Sequence, residues 1–173
     1  MLSITSLYEL CKLKKCDYNK VICVNLINLN ITSYSMMEHI KNGIIKPFVI
    51  INKICKFINM EELNLHNNQL TEIPSKISNL INLRELQLSK NQISSIPDEI
   101  GNLINLKYFD ISFNQLQNIS PSIKFLTNLQ HLYLCNNLLS TTPPELKHLI
   151  NLEYLYIHNN PLIDTIDFNQ LHL

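Results

Sequence analysis

The feature that most constrains the fold is a block of eight residues that recurs at one constant interval along the chain. In each copy two apolar residues flank one variable residue, and a further apolar residue closes the block. The five copies are Leu63–Leu70, Leu86–Ile93, Phe109–Leu116, Leu132–Leu139 and Leu155–Leu162. A unit of this length cannot bury its own apolar face, so neighbouring copies must stack on one another. The period therefore predicts a solenoid.

Each block begins with the alternation of a half-buried β-strand. Leu63 and Leu65 point to one face and Asn64 to the other, because successive side chains of a strand alternate. Equal spacing then aligns the strands as one parallel sheet. An asparagine follows each strand, and we expect its amide to bond backbone groups of its own turn and of the neighbouring turn. These asparagines are Asn68, Asn91, Asn114, Asn137 and Asn160.

A second apolar series lies between the blocks and predicts the segment that returns the chain to the next strand. Its spacing of three, as in Ile77, Leu80 and Leu83, suits a short helix or a 3₁₀ turn. Ser120 and Thr142 each precede a proline and are predicted to cap such a segment. In three copies a proline fixes the backbone where the segment starts: Pro74, Pro97 and Pro143.

The combined pattern LxLxxNxLxxIPxxIxxLxNL over residues 60–162 resembles the leucine-rich repeat family. Its 23-residue Ile-Pro form is similar to intracellular repeat proteins of the Ras-suppressor and scaffold type. The resemblance implies an α/β solenoid with a parallel sheet on the concave side and short helices or 3₁₀ turns on the convex side. It also implies a role in protein recognition without catalysis.

Residues 1–59 depart from the period and are predicted to form an irregular, helical N-terminal cap. Residues 24–31 have strand spacing, but the interval from Val24 to Leu63 is longer than one repeat and shorter than two, which indicates a degenerate repeat with an insertion. Short helices are predicted from Ser6 and from Met36, the second ending at Gly43. The expected organisation is a cap over residues 1–59 and five repeats over residues 60–173, the last one incomplete.

Composition narrows the classes of partner. The 173 residues include 14 basic and 14 acidic side chains, so the formal net charge is zero. This balance argues against a nucleic-acid partner, because such binding needs a surplus of positive charge. No apolar stretch is long enough for a membrane span. Five cysteines, an odd number, and the absence of a signal-peptide pattern predict an intracellular, cytoplasmic protein without a disulfide framework.

The strand positions that point away from the core are predicted to line the concave face in four columns. Early repeats present Glu, Asn and Gln, whereas the last three present aromatic rings. Exposed aromatic residues beside polar groups are typical of a protein-binding hot spot, although such rings also shield a sheet from water. The candidate binding residues are Tyr108, Asp110, Phe113, His131, Tyr133, Tyr154, Tyr156 and His158.

A catalytic or metal site is a more specific alternative to protein binding on the same face. Cys135 and His158 share a column on adjacent strands, and His131 lies four positions before Cys135. A thiol with a nearby base, or a small metal site, is geometrically conceivable there. However, the pattern contains no oxyanion-hole loop, and a flat sheet excludes water poorly. We therefore expect no catalytic residue, no metal and no cofactor.

The pattern leaves the identity of the partner open. The favoured interpretation is a monomeric, non-catalytic module that binds a protein on its concave face. Two alternatives stay open: an adaptor that recruits an enzyme through residues 1–50, and a viral decoy that occupies a host protein. The chain has no alanine and only one arginine, Arg84, which indicates an AT-rich source genome, as in some large DNA viruses or protists.

Overall fold

The computed structural model describes residues 2–5, 21–26 and 54–163. Within these ranges seven strands form one sheet, in which spatial order follows chain order and every neighbouring pair is parallel. The strands are β1 (Leu2–Ile4), β2 (Val21–Asn25), β3 (Glu62–Asn64), β4 (Glu85–Gln87), β5 (Tyr108–Asp110), β6 (His131–Tyr133) and β7 (Tyr154–Tyr156). The predicted parallel sheet is confirmed.

The core lies between this sheet and the return segments. The central residue of each strand from β3 to β7 pairs with its counterpart on the next strand, so the inward side chains form one continuous row. Leu63 and Leu65 are buried as predicted. Side chains from the return segments, such as Ile77 and Leu80, belong to the same buried cluster. Each repeat therefore completes the core of its neighbours.

The buried asparagines form the predicted ladder. Asn114 Nδ2 donates to the carbonyl of Ile111 in its own repeat at 3.1 Å and to that of Leu88 in the previous repeat at 3.0 Å. Its Oδ1 accepts from the backbone N–H of Ile93 at 2.9 Å. The same pattern recurs at Asn91 and Asn137. These amides satisfy buried backbone groups that no water reaches.

A second asparagine ladder, which the sequence prediction did not include, runs along the surface where the chain enters each strand. Each of these amides donates to a carbonyl in the preceding repeat: Asn82 to Ile58, Asn105 to Ile81, Asn128 to Ile104 and Asn151 to Thr127, at 2.7–2.9 Å. The signal was present as the Asn-Leu pair that recurs before each of the strands β4 to β7. Both ladders tie a repeat to the one before it.

The return segments contain short 3₁₀ helices, one of the two predicted forms. They are Ser75–Asn79, Asp98–Asn102, Pro121–Phe125 and Pro144–His148. Ser120 caps the third, because its hydroxyl accepts from the N–H of Ser122. The predicted cap at Thr142 was wrong. Pro143 is held extended by the proline that follows it and takes the cap position of the fourth helix, so Thr142 lies one residue outside it.

The described part of the N-terminal segment continues the solenoid. Val24 pairs with Leu63 despite the irregular interval between them, so β2 takes the place of a repeat strand. Asn68 Nδ2 donates to the Leu26 carbonyl at 2.8 Å, as the later ladder asparagines do to their preceding repeats. Burial raises the pKa of the Cys55 thiol to about 12, so this cysteine is an uncharged core residue.

Strand β1 was not predicted, because three residues with one alternation give too weak a signal. The predicted helices at Ser6 and Met36 lie outside the described residues. The domain boundary at residue 59 stays a prediction. Both described strands before it, β1 and β2, belong to the same sheet as the regular repeats.

Candidate functional site

Two columns of side chains face outward from the strands, one residue on either side of the buried centre. We call this surface the concave face. The first column is Glu62, Glu85, Tyr108, His131 and Tyr154, and the second is Asn64, Gln87, Asp110, Tyr133 and Tyr156. The structure places both columns as the alternation predicts, with each residue directly beside its counterpart on the next strand.

The aromatic rings of these columns contact one another across the strands. Tyr133 stacks on Tyr156 with ring centroids 4.7 Å apart and planes 6° from parallel. His131 stacks on Tyr154 at 4.9 Å and 2°. Tyr108 joins the two rows, with its ring 5.1 Å from that of Tyr133 and 5.8 Å from that of His131. We call these five rings the aromatic cluster.

The cluster is open to solvent at its C-terminal end. Tyr154 and Tyr156 are 49% and 40% exposed, whereas the other three rings are half-buried by their neighbours. Strands about 4.8 Å apart hold rings of one column at stacking distance. The register of the parallel strands therefore brings the five rings into contact. His158 is exposed beside it, with its ring edge-on to Tyr156 at 6.4 Å.

Asp110 and Tyr108 form the polar side of the cluster. Asp110 Oδ1 accepts from the backbone N–H of Ser112 at 2.9 Å and from its hydroxyl at 2.6 Å. Burial raises the pKa of Tyr108 far above its usual value, and the charges of Asp110 and Glu85 and a hydrogen bond with Tyr133 act in the same direction. Tyr108 therefore keeps its hydroxyl proton at any physiological pH.

Phe113 lies beyond the strand, in a backbone conformation that phenylalanine rarely adopts. Its φ is 53°, in the left-handed region, and its side chain is 49% exposed. The Lys90 ammonium lies 6.0 Å from the centroid of its ring. Three of the four equivalent positions hold asparagine, which tolerates this conformation: Asn67, Asn136 and Asn159. Phe113 thus presents an exposed ring at a conformational cost.

The predicted third outward column contains His66, Ser89, Ser112, Cys135 and His158. Ser89, Ser112 and Cys135 are buried, whereas His158 is exposed. Strands β3 to β7 contain only three residues each, so this column lies past their C-terminal ends, next to the left-handed residue. The hydroxyl of Ser112 still reaches an outward side chain, because it donates to Asp110 Oδ1.

The Cys135 thiol of the conceivable catalytic site is buried, so a substrate on the open face would reach it poorly. Among residues 2–5, 21–26 and 54–163 no three His, Cys, Asp or Glu side chains are placed to hold a metal ion.

A shallow depression of about 370 Å³ borders the aromatic cluster. It spans the N-terminal ends of four strands, from acidic to aromatic side chains. Arg84 Nε lies 3.7 Å from Glu61 Oε2, and both side chains are about half exposed, so this pair adds little stability. Four residues that directly precede strands β3 to β6 also line the depression: Glu61, Arg84, Lys107 and Gln130. The sequence prediction included none of this row among the candidate binding residues.

A family model for the leucine-rich repeat region matches residues 48–167. The chain therefore belongs to the leucine-rich repeat family. The repeats of this family generally mediate protein–protein interaction. The finer similarity to the Ras-suppressor type stays a prediction.

Many solved structures are similar to the chain, and two of them are described below. A leucine-rich repeat protein of Leptospira interrogans is 29% identical, with a TM-score of 0.76 over 92% of this chain and 37% of that one. The structure of PEPR1–AtPEP1 is 31% identical, with a TM-score of 0.60 over 64% of this chain and 16% of that one. The chain thus spans well under half the length of either relative. No curated protein is significantly similar to it.

Within the described ranges, no helix has the length and apolar character needed to cross a bilayer. The four 3₁₀ helices of the return segments contain only five residues each.

Proposed function

We propose that this chain is a non-catalytic module that binds a protein partner on its concave face, through the aromatic cluster and Phe113. The observation that carries the proposal is the two rows of stacked, partly exposed rings on one open sheet. Tyrosine rings supply large contact area at small entropic cost, and their hydroxyls still bond across a wet interface. The repeats of the family favour the same kind of activity.

Phe113 supports this proposal independently. The fold does not need phenylalanine at this position, since asparagine occupies it in three other repeats. The ring is half exposed, so burial on the chain itself compensates little of its backbone strain. A partner that covers the ring would supply that compensation.

We further propose that the protein is a monomer inside the cell and binds no nucleic acid. The zero net charge supports the absence of a nucleic-acid partner. Cys55 and Cys135 are free thiols, which fits a reducing compartment. The structural neighbour PEPR1–AtPEP1 adds the example of a related repeat chain solved together with AtPEP1.

The proposal is tested by capturing partners from cell lysate and measuring binding of variants by calorimetry. Tyr133→Ala and Tyr156→Ala should each weaken binding by about 2 kcal/mol, as truncation of a central hot-spot ring does. Phe125→Ala is the matched control, because Phe125 is similarly exposed but lies on a 3₁₀ helix of the opposite side. Circular dichroism checks that each variant is folded.

Wild-type affinity in both tyrosine variants would overturn the concave-face proposal. If binding were lost only through substitutions within residues 1–50 that leave the circular dichroism spectrum unchanged, the adaptor interpretation would replace it.

A further inference from the structure

We infer that the partner segment covering the aromatic cluster is positively charged, with a Lys or Arg side chain seated on the rings of Tyr108 and Tyr133. This inference rests on the proposed function and specifies the chemistry of its partner. Its basis is the charge of the outward positions and their register with the cluster.

Apart from the imidazole of His131, every charged side chain in the two outward columns of β3–β7 is a carboxylate: Glu62, Glu85 and Asp110. Glu62 and Glu85 are direct neighbours across β3 and β4, an arrangement in which like charges repel. In the described part of the chain neither forms an ion pair. The surface therefore carries negative charge that the fold itself leaves uncompensated.

The cations of this side lie at its margins. Arg84 and Lys107 precede their strands, in a row where Glu61 and Glu153 balance them. Arg84 is paired with Glu61. Lys90 lies past the C-terminal end of β4, beside Phe113. The centre of the face is thus negative, whereas its N-terminal margin is neutral.

Register brings this negative charge to the rings. Glu85 is the direct strand partner of Tyr108, and Asp110 is the direct strand partner of Tyr133. The backbone N–H and the hydroxyl of Ser112 donate hydrogen bonds only to Oδ1 of Asp110. Within the described residues the other carboxylate oxygen, Oδ2, accepts no hydrogen bond. A guanidinium or ammonium group on these rings would gain a cation–π contact and a charge-assisted hydrogen bond in one place. An acidic segment would meet repulsion at the same position.

The test is selection of binders from a displayed library of random peptides on the folded, full-length chain. We expect the selected peptides to be enriched in Lys and Arg. Synthetic copies should bind at least about tenfold more weakly to the double variant Glu85→Gln/Asp110→Asn, the loss typical of a charge-assisted hydrogen bond. The double variant Glu99→Gln/Glu145→Gln is the matched control, since it removes the same charge from two 3₁₀ helices and should leave affinity unchanged.

Selected peptides that are acidic or uncharged would overturn the inference, and so would basic peptides that bind the Glu85/Asp110 double variant as tightly as wild type. A selection without enrichment would overturn it too. Tyr133→Ala separates the two claims. If this change abolishes binding of uncharged peptides, the concave face binds protein but its partner is not basic. If captured partners and peptides alike ignore Tyr133, the proposed function fails as well.

Discussion

At the scale of single residues, Phe113 combines a bulky side chain with a left-handed backbone conformation that such a side chain disfavours. A left-handed conformation costs an ordinary residue roughly 1–2 kcal/mol, because Cβ approaches the following carbonyl oxygen. Asparagine offsets part of this cost through local hydrogen bonding. Little in the packing of Phe113 offsets the difference, since the ring is half exposed. This uncompensated cost is the reason that the proposed function includes Phe113 in the binding face.

We therefore expect Phe113→Asn to raise the free energy of unfolding by about 1 kcal/mol while weakening binding to a captured partner. Urea denaturation measures the first effect and calorimetry the second. Asn136→Phe places the same ring at the equivalent position one repeat later and should lower stability. A lower unfolding midpoint in Phe113→Asn would show that the ring is held by the fold itself.

At the scale of elements, the buried ladder differs from the surface ladder in access to water. Asn114 is 8% exposed and bonds backbone groups in two repeats. Asn105 donates an exposed bond to the Ile81 carbonyl. Water can replace the lost partner at the surface, but it cannot do so inside the turn.

Asn114→Leu should consequently destabilise the protein, although leucine suits an interior by polarity. Each buried backbone group left unpaired costs roughly 1–3 kcal/mol. Asn105→Leu removes the same amide from the surface ladder and should cost much less. Both variants are compared with wild type by chemical denaturation. Equal midpoints for the two variants would refute the distinction between the ladders.

The sequence predicts strands and turns well where a pattern recurs in every repeat, and poorly where a feature occurs only once. Five copies define the strands, the buried asparagines and the two outward columns. The burial of Ser89 and Cys135 was not predicted, because alternation contains no information on how far neighbouring side chains cover a small one. Phe113 was assigned to the surface, but its strain comes from a φ angle that no side-chain pattern states.

At the scale of the whole molecule, the N-terminal segment shares one sheet with the regular repeats. Leu26 donates its N–H to the Asn64 carbonyl at 2.8 Å and accepts from the Asn68 amide. Ile54 and Phe57 are fully buried and continue the return-segment core. The N-terminal segment therefore covers the apolar edge of the first regular repeat.

Deleting residues 1–59 should expose the apolar edge at Leu63 and Leu65 and cause aggregation or loss of cooperative unfolding. Sedimentation and thermal melting of fragment 60–173 test this expectation. A monomeric fragment with a sharp transition would instead identify residues 1–59 as a detachable domain and favour the adaptor interpretation.

The two asparagine ladders have a consequence for how such a chain evolves. Every rung bonds to the repeat immediately before it, with the same partners at each step. Unequal recombination that removes or duplicates one whole unit leaves each rung with an equivalent partner. An insertion of another length within a regular unit would shift the rungs away from their partners in both ladders. The extent of the face can thus change in steps of one repeat, while point mutations at the outward columns alter its chemistry without touching the rungs.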